Sequence, residues 1–396
     1  MKSRSKTRLG DATHCIHAGE ERHGSNRGLA TEIDLASVFV VPGVEELRRY
    51  AEGKSSAYLY TRYANPTTRA AEVKLAALED GEDCVVTASG MAAAMVAVLA
   101  CCRSGDEIVS MLDIYGGTLK LFQNLLPRLG VRTRFVPFHQ LERVETYFSR
   151  RTRMLFLESP TNPTLRCPEL ERLCAIGRRR GACVLVDNTF ATPILQKPLA
   201  LGADLVLHSA TKYLGGHSDV TAGALVGPRK WVGPARQTMV QSGGCLDPAA
   251  SYLLIRGLKT LEVRVERACR NAARIAEVLS GHPKVTRVLY PGLPGNQGHA
   301  AARRQMRDFG MMVSFEIRGG GRAAERFIDR LRLWYLATSL GGVESTVSYP
   351  VLSSHVGLAK KTLKLLDVSA ATVRLSVGIE DADDLIADLD QALDAA

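Results

Sequence analysis

Short apolar segments alternate with helical segments between residues 67 and 209, and this alternation restricts the fold more than any other feature of the sequence. The apolar segments are predicted strands: CVVTA at 84–88, EIVSM at 107–111, TRFVP at 133–137, MLFLE at 154–158, CVLVD at 183–187 and DLVLHS at 204–209. The spacing of apolar residues between them predicts helices at 67–81, 91–102, about 117–129 and about 140–149. Short strands without polar alternation are typical of a parallel sheet covered by helices on both faces. The sequence therefore predicts a doubly wound α/β domain.

The 396 residues are too many for one typical core, and the pattern divides them into three segments. Residues 1–65 are rich in glycine and charge, with few periodic stretches, which predicts an extended arm. The α/β domain is expected at 66–255. Residues 256–396 are expected to form a smaller α+β domain, with helices near 258–280, 321–331 and 382–394 and strands near 284–289, 311–317, 333–338 and 372–377.

The charge balance is basic, with 51 Lys and Arg against 41 Asp and Glu and a net charge of +10. The basic residues are scattered and their clusters are short, so we expect a solvated surface and no nucleic-acid partner. No apolar run is long enough to span a bilayer, and the basic N-terminal residues are not followed by the apolar segment of a secretory signal. We therefore expect no membrane partner and a cytoplasmic location.

The nine cysteines have no repeating spacing and include no C-x-x-C pair, so a disulfide framework is not expected. Reduced cysteines, most of them small core residues, fit a cytoplasmic protein better. The nine histidines form no H-x-x-x-H or H-E-x-x-H pattern, and the sequence therefore predicts no metal site.

Polar residues follow the predicted strands at the edge of the sheet where ligands bind in open α/β folds. Ser89-Gly90-Met91 lead into a helix whose N-terminal amides and dipole favour an anion, although a plain serine N-cap would use the same residues. Asp187 ends another strand. Its carboxylate can hold a protonated ring nitrogen, and the alternative is an Asx turn or a helix cap.

The segment HSATKYLGGHSD at 208–219 contains the third candidate, Lys212. A lone lysine is usually a solvated surface residue, but Lys212 follows a buried strand and the hydroxyls of Ser209 and Thr211, which can bind phosphate. A lysine that forms a Schiff base, an acid that keeps a pyridine nitrogen protonated and a helix N-terminus that binds phosphate together describe a pyridoxal 5′-phosphate (PLP) site. The sequence therefore predicts PLP as the cofactor, bound through Lys212.

These residues lie within motifs that resemble those of the Cys/Met-metabolism PLP-dependent enzymes, the family of the trans-sulfuration enzymes. The motifs, within a resemblance that covers about residues 12–394, are YTRYANPT at 60–67, SGM at 89–91, YGGT at 115–118, ESPTNP at 158–163, VDNTFATP at 186–193, HSATKYLGGHSD at 208–219, SLGGVES at 339–345 and VRLSVGIE at 373–380. The resemblance implies the PLP-dependent transferase fold of the aspartate aminotransferase type (fold type I), with a mostly parallel central sheet.

The resemblance also implies an assembly. Tyr60 and Arg62 would reach across a dimer interface to the cofactor phosphate of the neighbouring subunit, where the guanidinium fork suits a phosphate. The state implied by the family is a homotetramer built from two such dimers.

Further roles follow from the resemblance for residues of the site itself. Tyr115 would stack on the cofactor ring and take part in acid–base steps, and Asn162 would contact the cofactor's phenolic oxygen or the substrate carboxylate. Arg374, assisted by Ser339, would bind the α-carboxylate of a small amino-acid substrate. The alternative for Arg374 is an exposed charge at a strand end.

The implied reaction is γ-replacement or γ-elimination on a homoserine-derived or sulfur amino acid, of the cystathionine γ-synthase or γ-lyase type. Gly117 and Gly342 stand where methionine γ-lyases usually have Cys and Asp, which weakens that activity. Thr338, Leu59 and Tyr63 replace charged residues of the cystathionine enzymes, which favours a less charged γ-substituent.

Alternatives within the family are methionine γ-lyase or O-acetylhomoserine sulfhydrylase activity and β-elimination of the cystathionine β-lyase type. Outside it, the alternatives are an aminotransferase and a PLP-binding regulator without turnover. The presence of Lys212, Asp187, Tyr115 and Arg374 together argues against the regulator, and the motifs at 60–67 and 339–345 argue against the aminotransferase.

Overall fold

A seven-stranded sheet forms the centre of the larger half of the molecule, in a computed structural model that describes residues 9–20 and 28–396. Its strand order is β1-β7-β6-β5-β4-β2-β3. The strands are β1 (Asp83–Thr87), β2 (Glu107–Met111), β3 (Arg132–Val136), β4 (Thr152–Glu158), β5 (Cys183–Asp187), β6 (Leu205–His208) and β7 (Gly223–Gly227). Strand β7 pairs antiparallel with both neighbours, and the other pairings are parallel. The predicted mostly parallel α/β sheet is confirmed.

Helices cover both faces of this sheet and bury most residues of its strands, except in the edge strand β3, where Arg132 and Arg134 are exposed. The helices up to residue 258 are α1 (Asp11–His17), α2 (Val44–Ala51), α3 (Pro66–Leu78), α4 (Gly90–Cys101), α5 (Gly116–Lys120), α6 (Leu170–Arg179), α7 (Thr192–Leu195), α8 (Arg229–Ser242) and α9 (Pro248–Leu258). Helix α3 begins where Asn65 accepts hydrogen bonds from the amides of Thr67 and Thr68 and Pro66 occupies the first helical position. Phe122 and Phe156 pack edge-to-face in the core, with ring centroids 5.1 Å apart, and each such buried ring contributes about 1.5–3 kcal/mol.

A second sheet of five strands forms the smaller half, in the order β10-β11-β12-β9-β8. Its strands are β8 (Val285–Leu289), β9 (Met312–Ile317), β10 (Tyr335–Leu336), β11 (Thr346–Ser348) and β12 (Thr372–Ser376). The helices of this half are α10 (Leu261–Gly281), α11 (His299–Gln305), α12 (Gly321–Arg330), α13 (Lys360–Leu365) and α14 (Ala382–Asp394). The predicted smaller α+β part is confirmed, whereas the segment limits 1–65, 66–255 and 256–396 stay predictions.

Two sequence expectations about helices were wrong. The helix expected near 117–129 is divided into α5, a π-helical turn at Leu121–Leu125 and a 3-10 turn at Leu126–Leu129, where Pro127 cannot continue an α-helix. The helix expected near 140–149 is a 3-10 helix at Phe138–Tyr147.

The arm was expected to be irregular, but it contains α1 and α2. Helix α2 buries no residue and carries two i,i+3 ion pairs, Glu45–Arg48 and Glu46–Arg49. Its apolar residues Val44, Leu47 and Ala51 recur at helical spacing, but all three are exposed, so this stripe is not buried in the described part of the chain. Among the described residues, no helix combines the length and the apolarity needed to cross a bilayer.

Candidate active site

A cavity of about 530 Å³ lies at the carboxyl ends of the parallel strands, where the second sheet closes over them. All of the predicted site residues except Tyr60 and Arg62 line this cavity. Ser89, Asp187 and Ser209 reach it from the ends of β1, β5 and β6. Parallel strands bring their carboxyl ends to one edge of a sheet, which is why residues far apart in the sequence meet here.

The N-terminus of α4 forms one end of the cavity. Ser89 is the N-cap, and its hydroxyl accepts a hydrogen bond from the amide of Ala92 at 3.1 Å. A Cβ added at Gly90 would lie 2.8 Å from the Cβ of Ser209, so only glycine allows the helix and the Ser209 turn to approach this closely. The first-turn amides and the helix dipole make this end suitable for a phosphate. Thr211 lies beside it, with its hydroxyl hydrogen-bonded to the backbone of Ala222.

The carboxylate of Asp187 forms the floor of the cavity. Thr189 donates to Asp187 Oδ1 through its amide (3.0 Å) and its hydroxyl (2.5 Å). Burial raises the pKa of Asp187, whereas the bonds from Thr189 and the charge of His208 lower it. Glu158 is opposite Asp187 in the β4–β5 register, and burial together with the neighbouring Asp187 raises the pKa of Glu158 well above its usual range. Of the two carboxyl groups, Glu158 therefore has the more strongly raised pKa.

The amine of Lys212 projects into the cavity and donates to Ser339 Oγ at 2.5 Å. Burial, together with the positive charge of Arg374, lowers the pKa of Lys212 to about 8. Ser339 has a φ of 85°, and it comes two residues before Gly341, where a Cβ would lie 2.6 Å from the amide of Tyr213. The Ser339 loop of the second sheet therefore packs directly on the lysine turn.

Arg374 on β12 forms the wall opposite α4 and is 4% exposed, so the alternative of an exposed strand-end charge is wrong. Its guanidinium donates to Asn162 Oδ1 at 2.6 Å and to the Ser339 carbonyl at 3.5 Å, and its buried Nε has no partner among the residues that the structure describes. Burial lowers the pKa of Arg374 to about 10. The guanidinium is thus positioned by neutral groups and keeps hydrogen-bonding capacity for an anion.

Tyr115 lies between these walls, with its amide donating to Glu158 Oε2 at 2.7 Å. Its side chain is 45% exposed and therefore accessible from the cavity. A Cβ at Gly117 would lie 2.5 Å from the Cε1 atom of the Tyr115 ring, so the ring occupies the space that a side chain at position 117 would need.

Tyr60 and Arg62 lie outside the cavity. Tyr60 forms an isolated β-bridge with Val38, and Arg62 donates to the Val240 carbonyl at 2.6 Å. The guanidinium of Arg62 also lies over the rings of Tyr60 and Tyr63, at 5.4 and 5.0 Å from their centroids. The role expected for these residues in a neighbouring subunit stays a prediction.

Several residues of the cavity had no predicted role. Thr189 follows a strand end, and its hydroxyl, two positions after Asp187, was the feature of the sequence that could have identified it as a cavity residue. Leu352, Ser353 and Ser354 reach the cavity from the short 3-10 turn at Pro350–Leu352 and the loop that follows it, and no strand end or periodic pattern in the sequence marks them.

The arrangement fits PLP. The cavity offers one amine with a lowered pKa, one buried carboxyl group that accepts hydrogen bonds from Thr189, and a helix N-terminus whose Gly90 permits close backbone approach. These are the groups needed for an aldehyde, a protonated pyridine nitrogen and a phosphate, respectively.

Comparisons with known proteins give a consistent result. Residues 12–394 match the family described as Cys/Met metabolism PLP-dependent enzymes. A cystathionine gamma-synthase from Mycobacterium bovis is 44% identical over 385 residues, which cover 97% of each chain. An L-methionine gamma-lyase from Fusobacterium nucleatum subsp. polymorphum is 40% identical over 392 residues, which cover 98% of each chain. The crystal structure of metB from Corynebacterium glutamicum has a TM-score of 0.91 and 39% identity, with 98% of each chain covered.

Proposed function

Because the chain belongs to the family of Cys/Met metabolism PLP-dependent enzymes, we propose that it catalyses γ-replacement or γ-elimination on a homoserine-derived or sulfur amino acid. It is a PLP-dependent trans-sulfuration enzyme, and its substrates are small amino acids. One observation carries the proposal: the amine of Lys212 and the guanidinium of Arg374 face the same cavity, and each is bound to Ser339 rather than to a carboxylate.

The residues that would hold the cofactor are those of the cavity floor and its α4 end. Lys212 would bind its aldehyde and Asp187 its ring nitrogen. The phosphate would bind at the amides of Gly90 and Met91 and at the hydroxyls of Ser89, Ser209 and Thr211. Bound there, PLP supplies an electron sink that makes protons on the substrate α- and β-carbons removable.

Lys212 would then move these protons. A pKa of about 8 leaves roughly a tenth of the lysine side chains as free amine at pH 7, far more than for an exposed lysine. The flexible side chain lets one amine act first at the α-carbon and then at the β-carbon. The half-exposed Tyr115 ring would cover the cofactor, and its hydroxyl would move a proton of the substrate amine.

The substrate's α-carboxylate would bind Arg374, with Asn162 and Ser339 fixing the guanidinium. The γ-substituent would then extend toward the wall formed by Thr338, Leu352, Ser353 and Ser354. This wall carries no charge, so it favours an uncharged ester or thioether over a charged γ-substituent.

We propose replacement on a homoserine ester, as in the cystathionine γ-synthases, as the main reaction. The ring of Tyr115 leaves no room for a side chain at position 117, where the sequence pattern of methionine γ-lyases usually has a cysteine. Methionine γ-lyase activity is the second candidate, supported by 40% identity to the Fusobacterium enzyme.

A substrate panel read by product mass tests the function. We expect purified enzyme to convert an O-acylhomoserine and cysteine to cystathionine. Release of ammonia and a 2-oxo acid from methionine would favour the second candidate, and pyruvate from cystathionine would favour β-elimination. Turnover of neither an O-acylhomoserine with cysteine nor cystathionine alone would contradict the proposal. Keto acid formed without ammonia, together with pyridoxamine phosphate, would instead identify an aminotransferase.

We also infer a cytoplasmic homotetramer made of two dimers. The arm exposes large apolar side chains, Leu29 (97%), Leu35 (70%), Val38 (66%) and Val40 (99%), which a second copy of the chain would cover. Arg62 lies on the same arm and outside its own cavity. The nine cysteines are all free, which supports a reducing compartment.

Mixing two inactive variants tests the shared site. Arg62→Ala and Lys212→Ala are each expected to be inactive, because each removes a group from every active site. After joint dissociation and reassociation, random pairing gives one intact site in half of the dimers, and activity should recover to about a quarter of the wild-type value. The activity is measured against each variant treated alone. Recovery of no activity from mixtures shown to contain both chains would contradict the exchange of Arg62 between subunits.

A further inference from the structure

A fully buried carboxylate–imidazole pair lies directly behind the cavity floor. Glu79, the C-cap residue of α3, and His208, the last residue of β6, are both 0% exposed. Glu79 Oε1 is 2.6 Å from His208 Nε2, and it also accepts a hydrogen bond from the side-chain amide of Asn188 at 2.9 Å. Two oppositely chargeable groups are seldom buried this completely unless they compensate each other.

The pair is bonded to both strand ends that carry the predicted cofactor residues. Asn188 lies between Asp187 and Thr189, and His208 precedes Ser209. On the cavity side, the amide of Ser209 donates to Thr189 Oγ1 at 2.9 Å, and that hydroxyl donates to Asp187 Oδ1. Glu79 thus connects the ends of β5 and β6 on the side away from the cavity, and Thr189 connects them on the cavity side.

Electrostatics also link the pair to Asp187. Burial raises the pKa of Asp187, and the charge of His208 is among the causes that lower it. The other ionisable groups near the carboxylate are Glu158, opposite it on β4, and Lys212, which lines the same cavity. Strand β7 presents the neutral Ala224 opposite His208.

We propose that Glu79 and His208 form an ion pair whose imidazolium keeps Asp187 ionised and whose hydrogen bonds hold the two strand ends in register. Both are positioning residues, since they act through Asp187. The proposal rests on the proposed role of Asp187 at the cofactor ring.

Charge-altering variants separate the electrostatic role from simple packing. His208→Gln keeps a donor toward Glu79 but removes the positive charge and leaves a buried negative charge beside Asp187. The pKa of Asp187 then rises, so the carboxylate is lost at higher pH on acidification. Glu79→Gln/His208→Gln removes both charges, so the pKa of Asp187 should lie between those of the wild type and of His208→Gln. The double variant also avoids an uncompensated buried charge, so it is expected to fold even if His208→Gln does not.

The readout is the dissociation constant of PLP, measured by equilibrium dialysis of each holoenzyme from about pH 5.5 to 8.5. In His208→Gln, the loss of PLP affinity on acidification should begin about one pH unit higher than in the wild type. In the double variant it should begin between these two pH values, and so it should in Glu79→Gln, because a buried imidazole without its carboxylate partner is neutral. Asp388→Asn removes a buried carboxylate that binds the loop at 332–334, away from the cavity, and should not move the profile.

Two outcomes would overturn the proposal. In the first, PLP affinity begins to fall at the same pH in His208→Gln as in the wild type. In the second, His208→Gln binds PLP more weakly at every pH, and the double variant binds it just as weakly. Asp187→Asn tests the underlying site separately. If Asp187→Asn binds PLP as tightly as the wild type, the proposed role of Asp187 fails. If it binds weakly while His208→Gln does not shift the profile, only the ion-pair proposal fails.

Discussion

Replacing Lys212 with alanine is expected to lower kcat by at least about 10³-fold, because the variant loses both the group that binds the cofactor aldehyde and the group that moves the substrate protons. Lys212→Arg should be equally inactive, since a guanidinium stays protonated at every accessible pH and cannot act as a base. Burial lowers the pKa of Lys212 to about 8, which assists catalysis because the amine can lose its proton. The guanidinium of the arginine variant cannot.

Turnover of the best substrate in the panel measures this effect, and borohydride reduction followed by peptide mass analysis reports the covalent link. The wild-type peptide containing Lys212 should gain the mass of the reduced cofactor, and no peptide of the alanine variant should. Lys230→Ala is the control, because this exposed lysine on α8 does not line the cavity. Retention of turnover in Lys212→Ala, or cofactor mass on another lysine of the wild type, would show that the assignment is wrong.

The positions of Ser89, Asp187 and Lys212 followed from the sequence because they depend on local signals. Each follows a short apolar strand, and a parallel sheet places the carboxyl ends of such strands on one edge. The strand pattern therefore predicted the cavity floor before the strand order was known. Gly90 was identified in the same way, as a residue that permits close backbone approach at a helix N-terminus.

Arg374, Ser339 and Asn162 could not be assigned from local signals. Arg374 and Ser339 belong to the second half of the chain, and their position depends on how the two sheets meet. Only the resemblance indicated these residues. The left-handed backbone of Ser339, with a φ of 85°, is imposed by tertiary packing on the Lys212 turn and has no counterpart in residue propensity.

The buried Glu79–His208 pair could not be predicted from the sequence for a different reason. A glutamate at the end of a helix and a histidine in an apolar strand are separated by 129 positions, and each alone is typical of a cap or a core residue. Their meaning comes only from the distance between them and from complete burial. Buried polar networks are specified by three-dimensional complementarity, which a single sequence does not display.

Replacing Arg374 with methionine is expected to lower kcat/KM by about 10²–10³-fold, which is the usual effect of removing one partner from a buried, hydrogen-bonded ion pair. Arg374 has its bonds to Asn162 and Ser339 already in place, so the substrate carboxylate meets an oriented guanidinium. Arg374→Lys should recover only part of the loss, because an ammonium provides the charge but not the planar fork.

A substrate analogue without the α-carboxylate distinguishes carboxylate binding from a general disturbance of the cavity. Wild type and Arg374→Met should process this analogue at similar low rates, while only the wild type gains from the carboxylate. Arg287→Met is the matched control, since Arg287 pairs with Asp367 and does not line the cavity. If Arg374→Met loses the same factor with both substrates, the guanidinium maintains the shape of the cavity, and the α-carboxylate must be bound elsewhere.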